Sequence, residues 1–225
     1  IDILGNPIGG YTIILFIILF KFYFSYLELF FLFIIFLSGI LSDIKLFNSP
    51  SKRLFFQILV IFLSVYFSNI EIISTKINFF DYLLTNKIIN LVFTTFCILI
   101  VINGTNFIDG LNGLVIGYYL IVVITLLSLD SHIDYYFHSN LLLNFSIILI
   151  ILLFVNFLSK VFLGDNGSYL LGFIFSIFLI RVHQINMDVS PYFIILLLWY
   201  PCFENLFSII RKRMSKILAT DPDNN

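Results

Sequence analysis

The sequence predicts an all-α protein, a polytopic membrane bundle of about eight transmembrane helices. Of the 225 residues, 60% are hydrophobic and only 11% are charged, and the mean hydropathy is +1.08. A soluble domain is closer to half apolar and a quarter charged, so no single globular core could bury this much apolar surface. The apolar stretches are continuous rather than alternating, which favours membrane helices over membrane strands.

The apolar stretches follow one another without an internal repeat or a linker, so we predict one membrane domain over residues 1–225. The predicted helices, in order, lie near residues 11–24, 26–41, 54–69, 88–103, 113–129, 141–158, 168–182 and 191–210. Several are shorter than the ~20 residues that a bilayer crossing needs. Flanking polar residues are therefore expected inside some helices.

The loops between these helices divide into two sets that differ in charge. The first set is residues 1–10, 42–53, 104–112, 159–167 and 211–225, and the second is residues 21–27, 70–87, 130–140 and 181–190. Eight Lys and Arg residues lie in the first set and four in the second, which favours a cytoplasmic position for the first set. The Gly-, Asn- and Asp-rich stretches also fall in the first set. Polar groups from separate loops are thus expected at one face of an inner or plasma membrane.

Charge and histidine content narrow the functional classes. The formal net charge of −1 argues against a general nucleic-acid binder. His132, His138 and His183 all lie in the second loop set. We expect them to be surface residues rather than metal ligands.

The stretch LSDIKLFNSPSKRLFFQ contains the predicted start of the third helix. Ser49 suits the N-cap, and the proline after it suits the first helical position. Lys52 and Arg53 fall in the first turn, where they strengthen an anion-binding helix end. Ordinary positive-inside anchoring is the alternative for Lys52. Asp43 ends the preceding helix, where a carboxylate opposes the macrodipole, which indicates another purpose such as a metal or a proton.

The stretch NGTNFIDGLNGLVIG places Asn106 and Asp109 three residues apart, on one face if the segment is helical. Three glycines, at positions 110, 113 and 117, form a small-residue stripe that allows close approach of a helix or a ligand. A helix-packing face with an N-terminal cap is the alternative. An acid at the end of a membrane helix is typically solvated or functional, which favours a role for Asp109.

The stretch VFLGDNGSYLLGF contains an acid, Asp165, in a Gly-rich turn between apolar segments. Gly164, Asn166 and Gly167 suit turn conformations, and Ser168 can cap a following helix. Exposed N–H groups at that helix start suit a phosphate, and a neighbouring carboxylate suits Mg²⁺. A simple N-terminal cap is the alternative.

Together these stretches resemble the polyprenyl-phosphate N-acetylhexosamine-1-phosphate transferases, the group that contains MraY, WecA and TagO. NGTNFIDGLNGLVIG resembles the family's Asn-x-x-Asn-Phe-(Ile)-Asp-Gly-x-Asp-Gly loop, and VFLGDNGSYLLGF its Phe-(Met/Leu)-Gly-Asp-x-Gly-Ser stretch. GILSDIKLFNSPSKRLFFQ resembles the acidic-loop region with its basic residues. The resemblance covers nearly the whole chain and is more WecA-like, since Phe107 stands where MraY-type sequences tend to have Leu.

The resemblance implies an enzyme that transfers a sugar-1-phosphate, such as GlcNAc-1-phosphate, from a UDP-sugar to polyprenyl phosphate and releases UMP. It implies Mg²⁺, with Mn²⁺ as an alternative ion, and a role in cell-surface polysaccharide synthesis. The implied partners are the UDP-sugar, the lipid and the membrane, with a homodimer as a further option and no nucleic acid.

The resemblance also implies roles for individual residues. Asp165 and Asn106 would hold the metal, and Asp43 or Asp109 would deprotonate or position the lipid phosphate. The implied substrate-binding residues are Lys52, Arg53, Asn106, Asn156 and Gly167.

The sequence departs from the family pattern in places. Ser42 stands where the family has the first of two paired acids, and Asn112 replaces the second acid of its loop. The resemblance implies a fragment that lacks the family's first helix and its C-terminal His segment. An MraY-type phospho-MurNAc-pentapeptide transferase is the alternative within the class. A membrane transporter or an inactive structural fragment is the alternative from another class.

Overall fold

The computed structural model describes residues 6–7, 9–19, 25–47, 49–128, 139–159 and 161–214. Ten helices run through these residues: α1 Gly9–Leu19, α2 Tyr26–Asp43, α3 Pro50–Ser68, α4 Asn78–Leu84, α5 Lys87–Ile108, α6 Leu114–Ser128, α7 Ser139–Phe157, α8 Gly164–Ile185, α9 Pro191–Leu197 and α10 Trp199–Met214. A two-residue parallel ladder pairs β1, Asn6–Pro7, with β2, Val161–Phe162. The all-α fold class is confirmed. His132, His138 and Lys160 lie outside the described residues.

Fewer helices than the predicted eight are long and apolar enough to cross a membrane, among the described residues. Among the described residues, α2, α3, α5 and α8 are long and apolar enough to cross a membrane, and the bent pair α9–α10 makes up to five. Helices α6 and α7 are apolar but shorter. The structure therefore supports a polytopic helical bundle and leaves the number eight as a prediction.

Helix α8 is the centre of the bundle, because it packs against α1, α2 and α5. Most of its side chains are buried, although a membrane helix at the periphery would face lipid. Glycines make these contacts close. A Cβ atom at Gly39 of α2 would lie 2.3 Å from the Cα of Asn166, and one at Gly172 would lie 2.8 Å from the Cα of Ile102 in α5. Small residues at such crossings let backbones approach.

Helices α9 and α10 meet at a bend of 65°. Pro201 has no N–H to donate to the carbonyl of Leu197, four residues earlier, and a proline in this position bends a helix. The hydroxyl of Tyr118, from α6, donates a hydrogen bond to that carbonyl instead. Every backbone carbonyl at membrane depth needs such a partner, so the bend is built into the packing.

Described parts of the two predicted loop sets lie at different ends of α8: Asp43 contacts its start, and the 70–77 loop contacts its end through His183. At the end away from Asp165, Glu28 of α2 pairs with Arg181 of α8 at 2.6 Å. His183 follows Arg181 by two residues. One nitrogen of its imidazole lies 2.8 Å from the Val189 carbonyl and the other lies 3.0 Å from the Ser74 carbonyl. His183 is 4% exposed, so the expectation of a surface histidine was wrong. Its ring packs between the loops that contain Ser74 and Val189. The polar sequence around His183 gave no sign of this burial.

Candidate active site

The carboxylate of Asp165 is the centre of a polar cluster at one end of the bundle. Gly164 has a φ of +71°, a left-handed conformation that glycine adopts without strain, and it turns the chain from β2 into α8. Asp165 follows in the first turn, where the helix dipole favours a negative charge. Residues from α2, α3 and α5 all contact this carboxylate.

Asp43 reaches the same helix start from the end of α2. Its Oδ1 accepts a hydrogen bond from the backbone N–H of Asp165 at 2.9 Å, and its Oδ2 accepts one from the backbone N–H of Asn166 at 3.2 Å. The Asn166 side-chain amide donates to the same Oδ2. The carboxylate that opposes the dipole of α2 therefore interacts favourably with the dipole of α8.

Arg53 of α3 and Ser42 of α2 both contact Oδ2 of Asp165. Arg53 Nη1 lies 3.2 Å from Asp165 Oδ2 and 2.7 Å from Ser42 Oγ. The Ser42 hydroxyl accepts from Arg53 and donates to Asp165 Oδ2, so it bridges the ion pair. Tyr169, one turn along α8, places its hydroxyl 3.5 Å from the same oxygen.

Asn106 approaches Asp165 from the last turn of α5. Its Nδ2 donates to Asp165 Oδ1 at 2.7 Å and to the Ser168 hydroxyl at 3.1 Å. The hydroxyl of Ser168 also donates to the Asp165 carbonyl at 3.3 Å. Ser168 lies inside α8, so the expectation that it caps this helix was wrong.

Asp109 ends α5 and is partly buried, and among the described residues its carboxylate accepts no hydrogen bond. Burial raises its pKa well above the ordinary value, and the negative charges of Asp165 and Asp43 raise this pKa further. The three acids thus lie at the same end of the bundle. Among the described residues, Asp109 is the one of the three whose carboxylate accepts no hydrogen bond.

Comparisons with known proteins identify the family of the segment that contains this cluster. The model of glycosyl transferase family 4 matches residues 25–183, a segment that contains every contact of Asp165 described above. The chain belongs to glycosyl transferase family 4. A curated relative from Bacillus subtilis (strain 168), named "Probable undecaprenyl-phosphate N-acetylglucosaminyl 1-phosphate transferase", is 33% identical over 129 residues. The match covers 54% of this chain and 34% of the relative, so the chain spans about a third of the relative's length. No solved structure matches.

Three other predicted substrate-binding residues of this family 4 chain are placed differently. Lys52 is exposed at the same end of the bundle. Asn156 is 3% exposed, and its side chain accepts from the backbone N–H of Gly113 and donates to the carbonyl of Val161 at 2.7 Å. Gly167 is a packing position, because a Cβ there would lie 2.4 Å from Leu163 Cδ1. Asn156 and Gly167 therefore support the loops around the site.

The cluster around Asp165 also contains two residues that the sequence did not single out as contacts, Ser42 and Tyr169. Ser42 drew attention only as a departure from paired acids. The signal for Tyr169 was its spacing of four residues from Asp165, which places both on one helix face.

The oxygen-rich cluster around Asp165 suits a divalent cation. Asp165 Oδ1 and Asp43 Oδ1 each accept one hydrogen bond, so each keeps a lone pair for a ligand. Within the described residues, no three Asp, Glu, His or Cys side chains converge to hold a metal by themselves. This donor set fits Mg²⁺, which is bound through one or two carboxylates together with waters and substrate phosphates.

Proposed function

We propose that the chain transfers N-acetylhexosamine-1-phosphate from a UDP-sugar to a membrane polyprenyl phosphate and releases UMP. Family membership and the name of the Bacillus relative support this activity, with GlcNAc-1-phosphate as the transferred group. The observation that carries the proposal is the convergence of Asp165, Asn106 and Arg53, from three helices, at one end of a membrane bundle.

The arrangement suits a reaction between two phosphorylated substrates. The diphosphate of the nucleotide sugar and the phosphate of the lipid repel each other, so catalysis needs positive charge between them. Arg53 and Lys52 supply cationic groups at this end, and Arg53 has the planar fork that matches phosphate oxygens.

Asp165 and Asn106 would hold Mg²⁺, or Mn²⁺ in its place. The ion supplies Lewis-acid stabilisation of charge on the phosphoryl oxygens. Asn106 donates from its Nδ2 to Asp165 Oδ1, so a rotated amide would present its oxygen to the ion instead.

Asp109 is suited to exchange a proton with the lipid phosphate. Its carboxylate is unpaired among the described residues, and burial raises its pKa, so the carboxylate binds a proton more readily than an ordinary aspartate does. Asp43 is the other candidate for this role.

We place the site on the cytoplasmic face of an inner or plasma membrane. The loop set that carries Asp43, Asp109 and Asp165 contains eight of the twelve Lys and Arg residues of the chain. A UDP-sugar would reach such a site from the cytosol.

The experiment is a membrane assay. Membranes that contain the chain are incubated with UDP-N-acetylglucosamine, undecaprenyl phosphate and Mg²⁺, and lipid-linked product and released UMP are measured in parallel. We expect equal amounts of lipid-linked product and UMP. We expect neither in the presence of EDTA or with an Asp165→Asn variant. Solute flux across sealed vesicles without UMP release would instead favour a transporter.

A further inference from the structure

We infer that Asp43 is a positioning residue, which fixes Asp165 by capping the N-terminus of α8 from the neighbouring helix α2. The assignment concerns the same site as the proposed function, and its kinetic part rests on that function. Its structural part rests on hydrogen bonds alone.

Helix α8 has no N-terminal cap of its own. The residue at its N-cap position, Leu163, has helical backbone angles, and no side chain there hydrogen-bonds to the first-turn amides. The first N–H groups of a helix lack intrahelical partners and need acceptors. In this protein the carboxylate of Asp43 accepts from two of them, those of Asp165 and Asn166.

The contact depends on the close approach of α2 to α8. Gly39 lies one helical turn before Asp43, on the same face of α2. A Cβ at Gly39 would lie 2.3 Å from the Cα and 2.6 Å from the N of Asn166. Only glycine at this position lets the end of α2 lie directly over the start of α8, where a short aspartate side chain reaches both amides.

The same geometry argues against a role for Asp43 in proton transfer. Its two oxygens accept three hydrogen bonds, two from backbone amides and one from the Asn166 side chain. Protonation would set a hydroxyl against one of these donors and weaken the cap. Asp109, in contrast, has no donor directed at it within the described part of the chain. The capping bonds therefore divide the two acids into a positioning group and a reacting group.

The test compares Asp43→Asn and Asp43→Ala in the purified chain, with Asp188→Asn as the matched control. Asp188 is an exposed loop acid at the opposite end of the bundle, so its variant removes one charge without touching the site. Three quantities are measured: amide hydrogen exchange of residues 163–168, Mn²⁺ affinity by electron paramagnetic resonance, and kcat and KM for transfer.

We expect Asp43→Ala to speed exchange of the Asp165 and Asn166 amides by about tenfold, the size of a lost helix cap. Mn²⁺ affinity falls with it, because Asp165 is no longer fixed. Asp43→Asn keeps one acceptor oxygen, so it retains intermediate protection and restores kcat to within about tenfold of the parent. The control leaves all three quantities unchanged.

Two results would overturn the assignment. The first is an unchanged exchange rate in both Asp43 variants. The second is an Asp43→Asn protein with parental exchange and Mn²⁺ affinity but a kcat at least about 10³-fold lower, as for a reacting carboxylate. If Asp43→Ala does not fold, Asp43→Asn decides by the same measurements. If no protein shows transfer, the proposed function fails, while the exchange data still decide the cap.

Discussion

Arg53 Nη1 lies 3.2 Å from Asp165 Oδ2 and 2.7 Å from the hydroxyl of Ser42, so a cation of α3 is held against the central carboxylate of the site. Both partners are partly exposed, at 30% and 26% of their side chains. A fully buried pair could not exchange partners. This pair is partly open to solvent, so under the proposed function a substrate phosphate would offer Arg53 an alternative acceptor.

Replacement of Arg53 is expected to impair substrate binding. Arg53→Gln should lower kcat/KM by about 10–100-fold through loss of charge-assisted hydrogen bonds, and Arg53→Lys should recover only part, because it lacks the planar fork. Steady-state kinetics with varied UDP-sugar measure the effect. Lys45→Ala, an exposed cation at the same end, is the control. An equal loss of kcat/KM in Arg53→Gln and Lys45→Ala would mean that only the net positive charge at this end matters.

Replacement of Ser42 tests the bridge between Arg53 and Asp165. Ser42→Ala removes one donor and one acceptor, and we expect kcat/KM to fall by about 3–10-fold. Ser38→Ala is the matched control, since Ser38 lies one turn earlier in α2. Among the described residues, its hydroxyl bonds only to the Ile35 carbonyl of its own helix. Kinetics that are the same for both variants would remove Ser42 from the site.

Asp109→Asn is expected to separate stability from activity. The folded state raises the pKa of Asp109, so it binds this proton more tightly than the unfolded chain does. Stability is therefore lost as pH rises from the ordinary aspartate pKa through the folded-state pKa. The uncharged variant should have a Tm about 2–4 °C higher at pH 7 in EDTA. Its kcat should be about 10²–10⁴-fold lower.

Thermal unfolding of both proteins at several pH values measures the first effect. The parent should approach the variant in Tm as the pH falls. A variant that is less stable than the parent at pH 7 would show that the carboxylate is held by favourable contacts.

The pair between Glu28 and Arg181 is expected to serve stability alone. Glu28→Gln leaves Arg181 without its acidic partner, although Arg181 still donates to the Ser68 carbonyl, and it weakens the capping box that Glu28 forms with Ser25. We expect a loss of about 1–3 kcal/mol in unfolding free energy with unchanged kcat and KM. Glu71→Gln, an exposed acid of the same end, is the control. A kinetic defect in Glu28→Gln would connect this end to the site.

The orientation in the membrane is tested by labelling. In a chain with Cys97 and Cys202 replaced by Ser, single cysteines are introduced at Leu111, at the site end, and at Asp188, at the opposite end; both positions are exposed. A membrane-impermeant maleimide added to intact cells should label position 188 and not position 111. The reverse pattern would place the site outside the cytoplasm.

The sequence predicted much of the site, because the residues that carry charge into an apolar chain are few. Asp165 was selected as an acid in a Gly-rich turn, Asn106 for its spacing from Asp109, and Arg53 for its place in the first turn of a helix. The structure joins the three side chains. Ser42 was missed as a bridge, since a hydroxyl shows no sign in sequence of what it will contact. The cap that Asp43 forms on α8 depends on the crossing of two helices, which spacing within one helix does not reveal.

Helix positions were predicted better than helix limits. Helix α5, which corresponds to the helix predicted over residues 88–103, extends to Ile108. Asn103 and Thr105 bond to carbonyls of their own helix, at Leu99 and Val101. Such bonds let polar residues continue a helix at its end. The short helix α4 was not predicted, since Asn78–Leu84 is too brief for a periodic pattern.

The bend between α9 and α10 has a consequence for how the molecule can move. Straightening this segment would separate the Tyr118 hydroxyl from the Leu197 carbonyl, and Pro201 has no proton to offer in its place. We therefore expect the angle between α9 and α10 to stay fixed. Under the proposed function, a polyprenyl phosphate would then reach the cluster through side-chain rearrangement near it, and not through flexing of α10.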